Sequence, residues 1–264
     1  EVRNQSSLMR AINHAPRINP YLLCQVADVG DIPFESAFDI EKAHAEIFNF
    51  IAAMVKADVI PLSCGGDHSV SLPILRAVAK QPLAFIHIDA HTDTWDSFQG
   101  SKFNHGAPFR RAHEEGLIDA TKTVQIGIRG AQNVSEGWDY SENAGMRVMF
   151  VEEVQKHGVD EIIKEVRCIV GNAPVYLSFD IDSLDPAFAP GTGTPEIAGL
   201  TTSEAIGLIR GFRYLNYVGA DIVEVSPPFD TGGLTSMTGA TVMYELLCLL
   251  AEAINTGKDQ VRIT

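Results

Sequence analysis

A chain of 264 residues is long enough to bury a sizeable core, as one large α/β unit or two small ones. Hydrophobic residues at 45% and charged residues at 20% exclude a disordered or fibrous polypeptide. Lys+Arg 20 against Asp+Glu 34 leaves a net charge of −14, a field that repels nucleic-acid phosphates and anionic membrane surfaces and favours a cationic small molecule or metal ions.

The chain opens on Glu1 rather than Met, in what reads as a helix already under way. Residues 40–56 carry helical periodicity and lead to an apolar run at 59–64, the first predicted strand; a helix over 69–80 leads to a second strand at 83–88. Apolar runs rich in Val, Ile and Phe at 123–128, 148–151, 175–181 and 218–225 read as further strands, with helices over 160–170, 202–213 and 240–253. This alternation predicts a single three-layer α/β/α domain over residues 1–264, built on a mainly parallel sheet buried on both faces. The turn-rich stretch 185–195 is a loop, and its Gly191-Thr192-Gly193 lacks the third glycine of a dinucleotide fingerprint. No apolar run approaches the roughly 20 residues that cross a bilayer.

In such a sheet, functional groups gather beyond the carboxyl ends of the strands. There lie Gly65-Gly66-Asp67-His68, Asp89-Ala90-His91-Thr92-Asp93, Asp180-Ile181-Asp182 and Glu224, each closing an apolar run. On an extended strand end, side chains at i, i+2 and i+4 point the same way, so Asp89, His91 and Asp93 are expected to converge, as are Asp180 and Asp182. Carboxylates at that density, with His68 beside them, require a cation. Four aspartates bring −4 and two divalent ions bring +4, which favours a binuclear centre. A carboxylate-rich set with two imidazoles suits Mn²⁺ better than a thiolate-bound Zn²⁺, although Co²⁺ or Ni²⁺ can take the same ligands.

The motifs GGDHS at 65–69, DAHTD at 89–93 and SFDIDSLDPAFAPGTGTP at 178–195 resemble the signatures of the ureohydrolase (arginase/agmatinase) family. NHGAPF at 104–109, VQIGIRG at 124–130 and VEVSPPFD at 223–230 extend the likeness through nearly the whole chain. The resemblance implies hydrolysis of a guanidino group to urea and an amine at a pair of Mn²⁺ ions, by a homotrimer or homohexamer, and an agmatinase-like role in polyamine metabolism. It implies that His68, Asp89, Asp93 and Asp180 hold one ion and Asp89, His91, Asp180 and Asp182 the other, with Asp89 and Asp180 bridging. It also implies that His105 shuttles protons and that Glu224 holds the substrate guanidinium. In the reaction so implied, water made acidic by the two ions supplies hydroxide, Asp93 takes its proton, and His105 helps to protonate the departing amine. His87 has no ligand match and reads as a packed or supporting residue. Members of this family carry an N-terminal stretch that would precede Glu1, so the chain reads as part of a longer protein.

Substrate choice is expected in the loop 94–104, which has no obvious carriage for an amino-acid headgroup, so agmatine is favoured over arginine. Asp96 offers itself to an amine, whereas Arg110 or Arg129 offers itself to the carboxylate of a guanidino acid; guanidinobutyrate, guanidinopropionate, a proclavaminate-type substrate and free guanidine stay open. Two rivals stand beside this reading. A zinc deacetylase also uses Asp-x-His and a later Asp, but around one zinc, and His68 and Asp93 weigh against it. A non-catalytic metal-binding protein would need none of His105 and Glu224. The four cysteines Cys24, Cys64, Cys168 and Cys248 form no C-x-x-C pair and stand beside no His or Asp motif, which disfavours a thiol nucleophile and fits a reducing, cytoplasmic setting.

Overall fold

Six strands, Leu62–Cys64 (β1), Leu83–Ile88 (β2), Ile118–Ile128 (β3), Arg147–Phe150 (β4), Pro174–Asp180 (β5) and Asn216–Val223 (β6), form one sheet in the order β1-β6-β5-β2-β3-β4. Every neighbouring pair is parallel. This computed structural model describes residues 1–36 and 38–261, with the side chains of 256–261 set aside. The helices are Val2–Ser6 (α1), Pro20–Leu23 (α2), Ile40–Lys56 (α3), Ser71–Val78 (α4), Pro108–Glu114 (α5), Glu136–Ala144 (α6), Val151–His157 (α7), Val159–Val170 (α8), Thr202–Gly211 (α9) and Leu234–Val261 (α10).

Successive strand residues face opposite sides of the sheet, and the two cores obey that period. On β2, Ala84, Ile86 and Ile88 join one core while Leu83 and Phe85 join the other; on β5, Val175, Leu177 and Phe179 join the first and Tyr176 the second. The first core is closed by Val154 of α7, Ile162 and Val166 of α8, Leu208 of α9 and Leu246 of α10. The second is closed by Ile47 and Ile51 of α3, Leu75 of α4 and Phe109 of α5. Helices therefore cover both faces, as the near-continuous apolar strands require.

From β2 the chain steps outward through β3 to β4, then returns to β5 and steps the other way to β6. The reversal lies between β2 and β5, whose carboxyl ends flank the crevice that such a switch point opens.

Several expected boundaries move. The first strand shrinks to Leu62–Cys64, and β3 extends back from the expected 123 to Ile118, where Asp119, Thr121 and Lys122 alternate with the buried Ala120 and give no apolar run. Helices α5, α6 and α7 escape periodicity: α5 opens on a proline at its first position, α6 is mostly polar with a glycine inside, and α7 is seven residues long. Helix α9 starts where Thr201 and Glu204 build a reciprocal capping box. The expectation that no apolar run nears membrane-spanning length is corrected by α10, whose segment Leu234–Asn255 is 22 residues and apolar enough to cross a bilayer. Val242, Leu246, Leu249 and Leu250 are buried against the sheet, so that stretch is apolar as a core helix is.

Candidate metal centre

Four neighbouring strands, β1, β6, β5 and β2, end side by side, and each leads into a polar turn. His68 lies in a 3-10 turn after β1, started by Asp67, whose carboxylate accepts the Ser69 N–H at 2.9 Å. Glu224 comes directly after β6, Asp180 closes β5, and Asp89 comes directly after β2. Because all four strands run parallel, these groups meet on one side of the sheet.

Asp89, His91 and Asp93 do converge, but not as an extended strand end. Strand β2 stops at Ile88; the Asp89 carboxylate then accepts the His91 N–H at 2.6 Å, folding the chain back, and Asp93 takes φ +52° in the left-handed region. Likewise β5 stops at Asp180, whose Oδ1 accepts the Asp182 N–H at 2.8 Å and starts a 3-10 turn over Ile181–Ser183. Both pairs are gathered by a carboxylate capping its own turn. Neither is gathered by strand alternation.

Two clusters that could each hold an ion result. In the first, His68 Nδ1 lies 3.1 Å from Asp89 Oδ2, 3.0 Å from Asp93 Oδ2 and 3.2 Å from Asp180 Oδ2. In the second, His91 Nδ1 lies 3.1 Å from Asp182 Oδ2 and 3.5 Å from Asp89 Oδ1. Asp89 belongs to both, one oxygen to each. His68 and Asp89 are fully buried and Asp93, Asp180 and Asp182 nearly so.

His68 Nδ1 is buried and makes no hydrogen bond, although three carboxylate oxygens crowd it. Donors about 3.0 Å apart are what octahedral bonds of about 2.1 Å to a hard cation demand along each edge. The donor set therefore fits a divalent pair. Burial pushes the Asp180 and Asp182 carboxyls above their ordinary values, reinforced by the neighbouring aspartates. Burial would lower His68, yet Asp180, Asp89 and Asp93 outweigh it and hold the ring well above its usual value.

His87 supports Asp89 from below. The Gln125 amide donates to the Thr92 carbonyl at 2.6 Å and to His87 Nδ1 at 3.1 Å, so the ring proton is left on Nε2, 2.6 Å from Asp89 Oδ2. His87 Nε2 therefore donates to Asp89, and the His87 ring also lies close enough to His68, Asp89 and Asp93 to share an ion with them. His91 owes its place to Gly130, where a Cβ would overlap the imidazole ring.

Glu224 reaches the cluster from the other side. Its φ is +64°, its N–H donates to the Gly66 carbonyl, and its Oε1 accepts the His68 N–H at 2.8 Å. Burial pushes its carboxyl up to about 7 against the pull of that bond. Its Oε2 faces the bare α-carbon side of Gly193, 4.0 Å from where a Cβ would stand. His105 is not drawn into the cluster: it is exposed between β2 and α5, its ring 6.3 Å from Phe98.

The charged candidates for substrate choice are engaged elsewhere. Asp96 accepts from Arg111 Nη2 at 2.8 Å and lies 3.5 Å from Arg110, and the Arg111 guanidinium holds its carboxyl below the ordinary value. Arg110 also pairs with Glu114 and Glu136 and stacks on Tyr140. Arg129 donates to the carbonyls of Gly127, Asp182, Ser183, Leu184, Glu196 and Ile197, tying the loop after β5 to the sheet. Asp96, Arg110 and Arg129, the side chains offered to an amine or a carboxylate, each have partners within the protein. Within the loop 94–104, Trp95 lies tilted against Phe98, which neighbours His105, whereas Phe103 packs on His44 and Arg76.

A model of the arginase family matches residues 1–249. A guanidinopropionase of Pseudomonas aeruginosa is 52% identical over 96% of this chain and 80% of that protein. A mitochondrial agmatinase of Gallus gallus is 44% identical over 95% of this chain and 74% of that protein. Among solved structures, the proclavaminate amidino hydrolase of Streptomyces clavuligerus superposes with a TM-score of 0.91 at 41% identity, over 96% of this chain and 84% of that one.

Proposed function

Because the chain belongs to the arginase family and is thus a ureohydrolase acting on guanidino C–N bonds, we propose that its substrate is a short guanidino acid of the guanidinopropionate type, cleaved with two Mn²⁺ ions. The observation that carries this choice is the 52% identity to the guanidinopropionase, above the 44% to the agmatinase. Agmatine is the second reading, favoured by the net charge of −14.

When bound, the divalent pair supplies Lewis acidity that brings the pKa of water toward neutrality. The rest falls to side chains. His68, Asp89, Asp93 and Asp180 would hold one ion, and Asp89, His91, Asp180 and Asp182 the other. Glu224 accepts the paired N–H groups of the planar guanidinium and turns its carbon toward the cluster. Asp93 takes up a proton of the water whose oxygen bonds to the guanidinium carbon, at the carboxylate oxygen that does not face His68, and passes it on to the departing amine. His105, exposed in the loop between β2 and α5, is assigned the proton that reaches the leaving nitrogen as the C–N bond breaks. Urea and the amine product then leave.

Urea release from guanidinopropionate, guanidinobutyrate, agmatine, arginine and guanidine, each with the Mn²⁺-loaded protein, tests the substrate. The kcat/KM for guanidinopropionate is expected to exceed that for agmatine at least about tenfold, a difference of about 1.4 kcal/mol in transition-state binding. A larger value for agmatine overturns the choice. His105→Asn is expected to lower kcat roughly a hundredfold, the lower end of general acid–base contributions, while two ions per chain remain. Loss of an ion from that variant would make His105 a ligand instead.

A further inference from the structure

One layer beneath the carboxylate cluster, Asp221, Ser178, His87 and Gln125 stand in register across β6, β5, β2 and β3. All four are fully buried. A parallel sheet covered on both faces is ordinarily apolar there, and a carboxylate so placed is costly unless its oxygens are satisfied. Those of Asp221 are. Ser71 Oγ and Tyr176 OH each donate to Oδ2 at 2.7 Å, and Ser178 Oγ donates to Oδ1 at 2.5 Å. Among the described residues no cation pairs with it, so the network is held together by hydroxyl donors alone.

Ser178 passes this on to the metal centre. Its oxygen also lies 2.8 Å from His68 Nε2. A serine hydroxyl has one hydrogen, and here Asp221 takes it; toward His68 the oxygen can only accept. The ring proton then sits on Nε2, and the lone pair is on Nδ1, the atom 3.0–3.2 Å from three carboxylate oxygens. We propose that Asp221, acting through Ser178, fixes His68 in the tautomer that presents a bare Nδ1 to the metal site. This positioning role rests on the metal-centre reading above. Partners of this kind orient a metal-bound imidazole and raise its basicity.

Asp221→Asn reverses the relay. An amide that donates to Ser178 frees the serine hydrogen for His68 Nε2, and the imidazole proton moves to Nδ1, where it blocks the ligand atom. Ser178→Ala removes the link outright with little change in volume. Stepwise Mn²⁺ binding, measured by equilibrium dialysis and titration calorimetry, is the readout, with thermal melting of the chelator-treated proteins as the fold control. In both variants one of the two binding steps is expected to weaken about 10–100-fold, the other to stay within about threefold, and the metal-free melting temperature to stay near wild type. Ser178→Thr, which keeps the hydroxyl, is expected to restore the weakened step. Two unchanged steps in both variants overturn the relay, as does equal weakening of both steps together with a large loss of metal-free stability. A wild-type protein that binds no Mn²⁺ overturns the metal-centre reading and the relay with it.

Discussion

Replacing Asp89 by alanine is expected to remove both divalent ions at once and to cut urea release on the order of 10⁴-fold, because the acidity that makes hydroxide available at neutral pH goes with them. Asp89 and Asp180 are both assigned to the two ions, but Asp89 is the one whose oxygens divide between the clusters, Oδ2 toward His68 and Oδ1 toward His91, whereas Asp180 Oδ2 lies beside His68. Loss of Asp182 leaves the first cluster intact, and loss of Asp93 leaves the second. Metal content after dialysis and urea production measure the effect. The control is Asp89→Asn, whose amide oxygen can still accept the His91 N–H that folds the turn although its NH2 then meets the His87 Nε2–H; it too is expected to lose the ions while its far-UV signal persists. Two ions per chain retained in the alanine variant would end the shared-ligand assignment.

The dependence on Asp89 also explains why the residue types of the site were legible in the sequence although their geometry was not. Charge density at strand ends needs no coordinates: four aspartates and two histidines after apolar runs imply cations wherever the chain carries them. The means of convergence was hidden. Alternation along a strand predicts that Asp89, His91 and Asp93 share a face, yet β2 ends before them, and the positive φ of Asp93 with the Asp89 carboxylate on the His91 N–H does the gathering. Turn capping and strand alternation both place i and i+2 together, so the pattern alone does not separate them.

The charged residues outside the centre were less legible for a different reason. Asp96, Arg110 and Arg111 settle their pairing through α5 and α6, short helices whose polar sequences carry no period. Arg129 looked free because its partners are backbone carbonyls, which every residue has and no sequence displays. Ser178, His87, Gln125 and Asp221 did leave a trace. Each interrupts an otherwise apolar buried strand, and a polar side chain at such a position has to be hydrogen-bonded by something nearby.

Exchange of Glu224 for glutamine is expected to lower kcat/KM about a thousandfold while both ions stay bound. The amide keeps an oxygen for the His68 N–H, so the left-handed turn at residue 224 and the start of the His68 turn have no reason to change. The difference falls on the edge turned toward Gly193, where Oε2 is replaced by an N–H donor that opposes the guanidinium's own N–H groups. Losing one partner of a buried charged pair costs about 2–5 kcal/mol, and about 4 kcal/mol is the thousandfold loss. Competitive inhibition by guanidinium chloride should weaken in parallel, since that ion carries only the moiety Glu224 would grip. Steady-state kinetics with metal analysis on the same preparation decides the matter. An unchanged kcat/KM would mean that the guanidinium is held by other groups, and a lost ion would mean that Glu224 acts through His68 on the metal centre instead.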